Sequence, residues 1–422
     1  LFYFLQTLYG MADLFIVGQF EGVASTTAVS IGSQVMHMLT VMIVGLAMGS
    51  TVSIGQALGG GREKRAARSI GNTATLFMSL SVLLMAGLLL VRPIVRVMST
   101  PEAAVSGAEA YLTICFIGIP FITAYNIISS IFRGLGDSKS PMYFIAVACA
   151  VNIALDYLFM GALHLGSVGA ALGTTLSQAV SVAVSLIVIR KRNIGVPLVR
   201  EDFKPDRQAM GSILKIGVPV ALQDGLIQVA FIVITIIANQ RGLTDAAAVG
   251  IVEKVISFLF LVPSSMLSTV SALGAQNIGA GKPERAVRTL GYACLLAAGF
   301  GLTVAAALQF VAEGIVGLFT TDSGAIAAGG QYLRGYIWDC LFAGLHFSFS
   351  GYFCACGKSG LSFLHNIIAI ALVRVPGVYL TSRLFPETLL PMGLATAAGS
   401  LLSVVICVVA FAALRRREAA HG

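Results

Sequence analysis

"GGGREKRAARSIG", Gly59 to Gly71, is written a second time in this chain as "GAGKPERAVRTLG", Gly279 to Gly291. The offset is 220 residues (279 minus 59), and it also sets Gln56 on Gln276, Arg68 on Arg288 and "GVASTTAVSI" (Gly22–Ile31) on "GLTDAAAVGI" (Gly242–Ile251). An offset of 219 sets "DSKS" (Asp137–Ser140) on "CGKS" (Cys356–Ser359). Self-similarity at one long period marks an internal duplication. The chain reads as two copies of one unit.

Around these loops the sequence is mostly apolar. Of its 422 residues 57% are hydrophobic and 11% charged, with a mean hydropathy of +0.90, values that belong to a bilayer and not to water. A spanning helix needs roughly 20 apolar residues. Twelve such runs occur, near 1–19, 26–57, 70–91, 108–132, 141–160, 167–190, 213–238, 246–277, 289–312, 327–356, 360–382 and 391–414. The second, eighth and tenth exceed a bilayer's thickness and are expected to tilt or to project beyond it. The expected fold is an all-α polytopic membrane protein of twelve transmembrane helices in two pseudo-symmetric six-helix bundles. The N-terminal lobe is 1–190, a cytoplasmic linker 191–212, the C-terminal lobe 213–414 and a basic cytoplasmic tail 415–422. The chain opens at Leu1 inside an apolar run, which points to a truncated first helix and not to a cleavable signal peptide.

The formal charge of +8 is distributed by loop and not gathered into a nucleic-acid-binding domain. Arg62, Lys64, Arg65, Arg68, Arg133, Lys139, the Arg190–Lys215 stretch, Lys282, Arg285, Arg288, Lys358 and Arg415–Arg417 all lie in even-numbered loops or the tail. Odd-numbered loops and their edges hold Arg92, Arg96, Arg241 and Arg383. By the positive-inside rule the even loops and both termini are cytoplasmic. An even number of helices per copy makes the repeats parallel, an architecture of secondary transporters whose substrate site is expected in the cleft between the halves.

Enzyme chemistry has no motif here. There is no HExxH, GxSxG or Walker-type loop, and the seven cysteines lie in apolar spans without zinc or redox spacing. They read as small buried hydrophobes. No metal cofactor, nucleic acid or obligatory protein partner is expected. The glycine-rich loops read as solvated turns that set up the following helices, with a phosphate cradle as the weaker alternative.

Intramembrane acids are costly and mark function by default. Asp13, Asp156, Asp224, Glu253 and Asp339 lie in predicted spans, with Lys254, Arg334 and Arg374 as embedded bases. Asp13 stands six residues before Gln19, roughly 9 Å from the outer end of its helix. Asp156 is one turn from the outer end of the fifth helix, Asn152 shares its face at i, i+4, and Thr174 is two turns into the sixth. These four polar side chains therefore fall at similar depth, where two carboxylates repel unless they bind a proton or share a cation. The alternative for each acid is a packing hydrogen bond to a neighbouring helix.

"GMADLFIVGQFEG" (Gly10–Gly22), "GQALGGGREKRAARS" (Gly55–Ser69), "FRGLGDSKSP" (Phe132–Pro141), "NIALDYLF" (Asn152–Phe159) and "GVPVALQ" (Gly217–Gln223) resemble the multidrug and toxic compound extrusion (MATE) transporters over practically the whole chain. The resemblance implies twelve helices in two lobes and export of amphipathic, often cationic small molecules in exchange for H+ or Na+ by alternating access. It also implies a bacterial inner-membrane location. It implies a cation site at Asp13, Asn152, Asp156 and Thr174, with Na+ an option at Asp13 and Asp156. The sodium-coupled branch carries a helix 7 glutamate where this chain has Gln228, with Asp224 one turn earlier, while Asp339 matches that branch's acidic position. A second cation site at Asp339, Asp224 and Gln228 is thus half supported. Gln34, Met36, Asp224, Gln228 and Lys254 are the expected substrate contacts, Met being adaptable in shape. A rival reading is a flippase for lipid-linked precursors in the same superfamily. It would need a cationic cleft, for which this chain offers Lys254, Arg334 and Arg374.

Overall fold

The computed structural model describes residues 2–192 and 194–421, which are helical almost throughout, with no strand among them. Leu1, Asn193 and Gly422, which fall in the expected first span, linker and tail, lie outside the described residues. Each of the twelve apolar runs is occupied by helix.

The first six rods are α1 (Phe2–Phe20), α2 (Val23–Gly59), α3 (Glu63–Val97), α4 (Glu102–Ile117 and Ile119–Gly134), α5 (Lys139–Ala162) and α6 (Gly166–Lys191). The second six are α7 (Arg207–Asn239), α8 (Leu243–Gly279), α9 (Pro283–Val316), α10 (Ser323–Tyr336 and Trp338–Ala355), α11 (Gly360–Leu384) and α12 (Leu390–His421). By length and composition 9 described helices can cross a membrane, or 10 with α4, whose halves bend by 52° at Gly118. The protein is an all-helical membrane protein. The rods α1 and α10 complete the predicted set as helices without passing that test: α1 is long enough at 19 residues but carries Gln6, Asp13 and Gln19, and α10 is divided at Ile337.

Contacts divide the chain into two units, one up to Gly217 and one from Val218. The division falls inside α7, just before its internal Pro219, and not in the polar stretch ahead of it. That stretch is tied to α3. Asn72 Nδ2 donates to the Asp202 carbonyl (3.1 Å), Thr75 Oγ1 to that of Phe203 (2.7 Å), and the Asp206 amide to Asn72 Oδ1 (2.8 Å). A β-carbon on Gly71 would overlap the Asp202 carbonyl, so glycine is required for this approach. A β-carbon on its repeat partner Gly291 would meet nothing of another helix or loop within 4 Å among the described residues. One motif therefore serves two local structures.

In the first unit α2 packs on both halves of α4, and α5 packs on α1 and α6, around Ile16, Val29, Tyr111, Leu112, Phe116 and Ala170. In the second, α10 is central, packed on α8, α9 and α12. Its approach to α12 is backbone to backbone. A β-carbon on Gly335 would lie 2.6 Å from the Leu390 carbonyl, and one on Gly393 would lie 2.5 Å from that of Tyr332. Small residues are what permit such closeness between membrane helices.

Among the described residues two π-helical turns interrupt the regular geometry, Tyr157–Ala162 in α5 and Ile370–Arg374 in α11. Such turns add a residue to the helix and re-aim the side chains beside them, often at functional positions. The first begins directly after Asp156 and the second ends on Arg374.

Candidate cation-coupling site

In the first unit, α1, α5 and α6 bring four expected side chains together. Asp13, Asn152 and Asp156 are buried, the last two completely. Thr174 Oγ1 lies 2.7 Å from Asp13 Oδ2 and 3.1 Å from the Ala170 carbonyl, and its one proton goes to the shorter contact. Asn152 and Asp156 flank the Asp13 carboxylate within interaction range but without good hydrogen-bond geometry. The spacing from Asn152 to Asp156 puts both on one face of α5, the face that meets α1 and α6.

The remaining polar atoms of this cluster are unpartnered. Asp13 Oδ1, both side-chain atoms of Asn152 and both oxygens of Asp156 are buried without a hydrogen bond. Buried polar atoms are nearly always satisfied, so five orphans in one place require an explanation. Among the described residues no Lys or Arg side chain interacts with either carboxylate. Two acids, an amide oxygen and a hydroxyl form an oxygen-only set, suited to a shared proton or a hard monovalent cation. Among the described residues no group of three His, Cys, Asp or Glu side chains is placed to hold a metal ion.

Two participants escaped the sequence reading. Tyr9 donates from its hydroxyl to the Thr174 carbonyl (3.1 Å) and lies 2.9 Å from Ser177 Oγ, which locks the Thr174 turn. Its position one turn before Asp13 on the same face was the available signal. Gly173 is the other: a β-carbon there would overlap Asp156 Oδ1 and reach to 3.6 Å from Asn152 Nδ2. A glycine next to the expected threonine carries no such message in sequence.

The expected substrate residues are distributed differently. Met36 points into the first unit's core with Tyr111 and Leu112, because its face of α2 is the one that packs on α4. Gln34 and Lys254 are exposed, and Asp224 and Gln228 are half-buried on α7. Asp339 is paired. Its Oδ2 accepts from Arg374 Nη2 at 3.1 Å, with Asp339 fully buried and Arg374 nearly so. Arg334 is likewise paired, with Glu313 at 3.2 Å. Two of the three bases that a cationic cleft would need are therefore compensated.

Comparisons with known proteins agree with this architecture. The family model described as MatE matches residues 1–158 and 219–380, most of the chain. The chain is 29% identical over 387 residues to the probable multidrug resistance protein YoeA of Bacillus subtilis, covering 90% of this chain and 84% of the relative. It is 25% identical to the multidrug export protein MepA of Staphylococcus aureus, covering 91% and 85%. A crystal structure of MATE in complex with MaL6 superposes with a TM-score of 0.90 at 23% identity, over 99% of this chain and 94% of that one. The fold is the MATE fold.

Proposed function

Because the chain belongs to the MatE family of transporters, we propose that it is a secondary active multidrug exporter that moves amphipathic or cationic small molecules outward in exchange for H+ or Na+. The observation that carries the coupling site is the buried pair of Asp13 and Asp156: Asp13 Oδ1 and both Asp156 oxygens lack hydrogen-bond partners, and neither acid forms an ion pair among the described residues. The names of the relatives YoeA and MepA support the substrate class.

The mechanism follows from charge balance. Two ionised carboxylates in a dry, low-dielectric site repel strongly, so the occluded form requires a proton or a cation. Asn152 and Thr174 supply the further oxygens for a cation, and Thr174 holds Asp13 in place while the load enters or leaves. When one such ion binds from outside, the charge of the cluster falls from −2 to −1, the repulsion between the two acids is relieved and the site can close. When it leaves inside, the repulsion returns and favours the state that admits substrate. One charge crossing 100 mV supplies about 2.3 kcal/mol, enough for nearly a fifty-fold gradient. Gln34, Met36, Asp224, Gln228 and Lys254 are the proposed substrate contacts, of which Met36 is packed into the first unit's core.

The loop charges and the bacterial origin of its relatives support a bacterial plasma membrane with both termini in the cytoplasm. Ethidium transport in inside-out vesicles, driven by an imposed pH gradient or an imposed Na+ gradient, tests the proposal. Transport under one gradient that is lost in Asp13→Asn and Asp156→Asn names the ion and the site. Activity retained in both variants reduces the pair to packing residues.

A further inference from the structure

The second unit contains a buried charge cluster that the coupling mechanism does not use. Asp339 on α10 is fully buried, and its one ion-pair partner among the described residues is Arg374 on α11. The guanidinium is held on several sides. Nη2 also donates to Tyr336 Oη at 3.1 Å, the Phe231 ring lies 5.5 Å away and the Tyr336 ring 6.0 Å. Arginine between aromatic faces is a stable cation, because the ring quadrupoles replace part of its lost hydration.

Backbone geometry puts the side chain there. Arg374 ends the π-helical turn of α11, whose extra residue rotates the chain by about 100° relative to an uninterrupted helix. On α12, Gly399 leaves room for it: a β-carbon at that position would lie 2.8 Å from Arg374 Cβ. A second acid stands nearby. Thr235 is one turn from Phe231 on α7 and lies 3.2 Å from Glu253 Oε2, so Glu253 is within electrostatic range of Arg374. Glu253 Oε1, Asp339 Oδ1 and Arg374 Nε are buried without hydrogen-bond partners.

The duplication gives this cluster its meaning. The 219-residue offset that aligns Asp137–Ser140 with Cys356–Ser359 carries Asp156 to position 375, beside Arg374. Where the first unit has an acid next to its π turn, the second has a base. The cluster of the first unit holds Asp13 and Asp156 and no cation of its own; that of the second holds Asp339, with Glu253 in range, and a permanent one.

We propose that Arg374 is a resident cation, whose guanidinium occupies the position beside Asp339 that a solute ion would otherwise take, so that the second unit binds no coupling ion. Coupling then rests on Asp13 and Asp156 alone. Removing the arginine charge would strip Asp339 of its counter-ion and Glu253 of the cation in its range, and open a site for a monovalent metal cation.

Sodium binding to the full chain in nanodiscs tests this without a transport assay, so a failure of drug export leaves the result readable. Trp338, the chain's one tryptophan, precedes Asp339 and reports locally through its fluorescence. The variants are Arg374→Gln, Arg374→Lys, and the paired Asp339→Asn with Arg374→Gln, measured with radioactive Na+ at equilibrium. Wild type, Arg374→Lys and the paired variant should bind equal amounts of Na+ with no change at Trp338. Arg374→Gln should gain a sodium site and a Trp338 response. Wild-type sodium binding that falls in the paired variant would overturn the proposal, as would a folded Arg374→Gln that gains no site. Should Arg374→Gln fail to fold, the comparison of wild type with the neutral pair still decides.

Discussion

Gly173 on α6 faces the Asp156 carboxylate on α5 so closely that a β-carbon in its place would overlap Asp156 Oδ1. The position is neither a turn nor a cap: it lies within the helix Gly166–Lys191, where glycine is otherwise unfavourable. Its value is the space it leaves for the acid. Gly173→Ala should displace Asp156 from Asp13 at an overpacking cost of about 1–3 kcal/mol. If half of that falls on the ion-bound state, gradient-driven ethidium transport should drop by roughly tenfold or less with expression preserved. Unchanged transport in Gly173→Ala would show that Asp156 does not need its present position.

Asp13→Asn and Asp156→Asn replace a buried acid by a neutral group of the same shape. Removing a buried charge that has no counter-ion relieves desolvation cost. Each variant should therefore melt at or above the wild-type temperature while losing driven transport. Thermal unfolding in detergent, run beside the vesicle assay, separates this outcome from simple misfolding, which would lower both.

Tyr9→Phe removes one hydroxyl, with its contacts to the Thr174 carbonyl and Ser177 Oγ, and leaves the ring packed. The expected loss is about 1 kcal/mol. Because those contacts hold the Thr174 turn, the effect should appear as a several-fold higher ion concentration for half-maximal transport, at nearly unchanged maximal rate. Thr174→Val should reproduce the shift and exceed it.

Asp339→Asn and Arg374→Gln each strand a buried partner. Breaking a buried pair from one side costs about 3–5 kcal/mol, while replacing both sides together is often neutral. The two single variants should unfold at clearly lower temperature, and the paired variant should recover most of the loss. A double-mutant cycle on thermal unfolding measures the coupling directly.

Asp137, in the loop before α5, accepts hydrogen bonds from the amides of Lys139 (2.9 Å) and Ser140 (3.0 Å). Partial burial pushes its carboxyl up, but the Ser140 hydroxyl, these two amides and the Arg192 charge outweigh that and hold it below the ordinary 3.8. A lowered value in the folded state means stabilisation that is present above the ordinary pKa and lost as pH falls through the folded one. Asp137→Ala should cost up to about 1 kcal/mol at neutral pH, solvent screening keeping it small. The difference from wild type should vanish in unfolding measurements well below pH 3.8.

Much of the cluster around Asp13 and Asp156 was legible as depth. Asp13, Asn152, Asp156 and Thr174 could be ranked by distance from their helix ends, because rise per residue is constant. Rotation about the helix axis was less legible. Met36 was expected to face substrate and instead faces Tyr111 and Leu112, since a helix that is apolar all round gives no sign of which face packs. Gly71 and Gly291 show the same limit: one sequence motif, with the linker seated against one copy and open space at the other.

The amino-acid sequence by itself determined the order and extent of the helices, the duplication and the family. These depend on local apolar runs and on similarity along the chain. Only the tertiary structure decided which charges meet. Thr174 reaches Asp13 across 161 residues, and Arg374 closes on Asp339 across 35, through a π turn that no composition announces. Inside a membrane the cost of an acid depends on what lies within a few ångströms of it, and helix packing sets those distances.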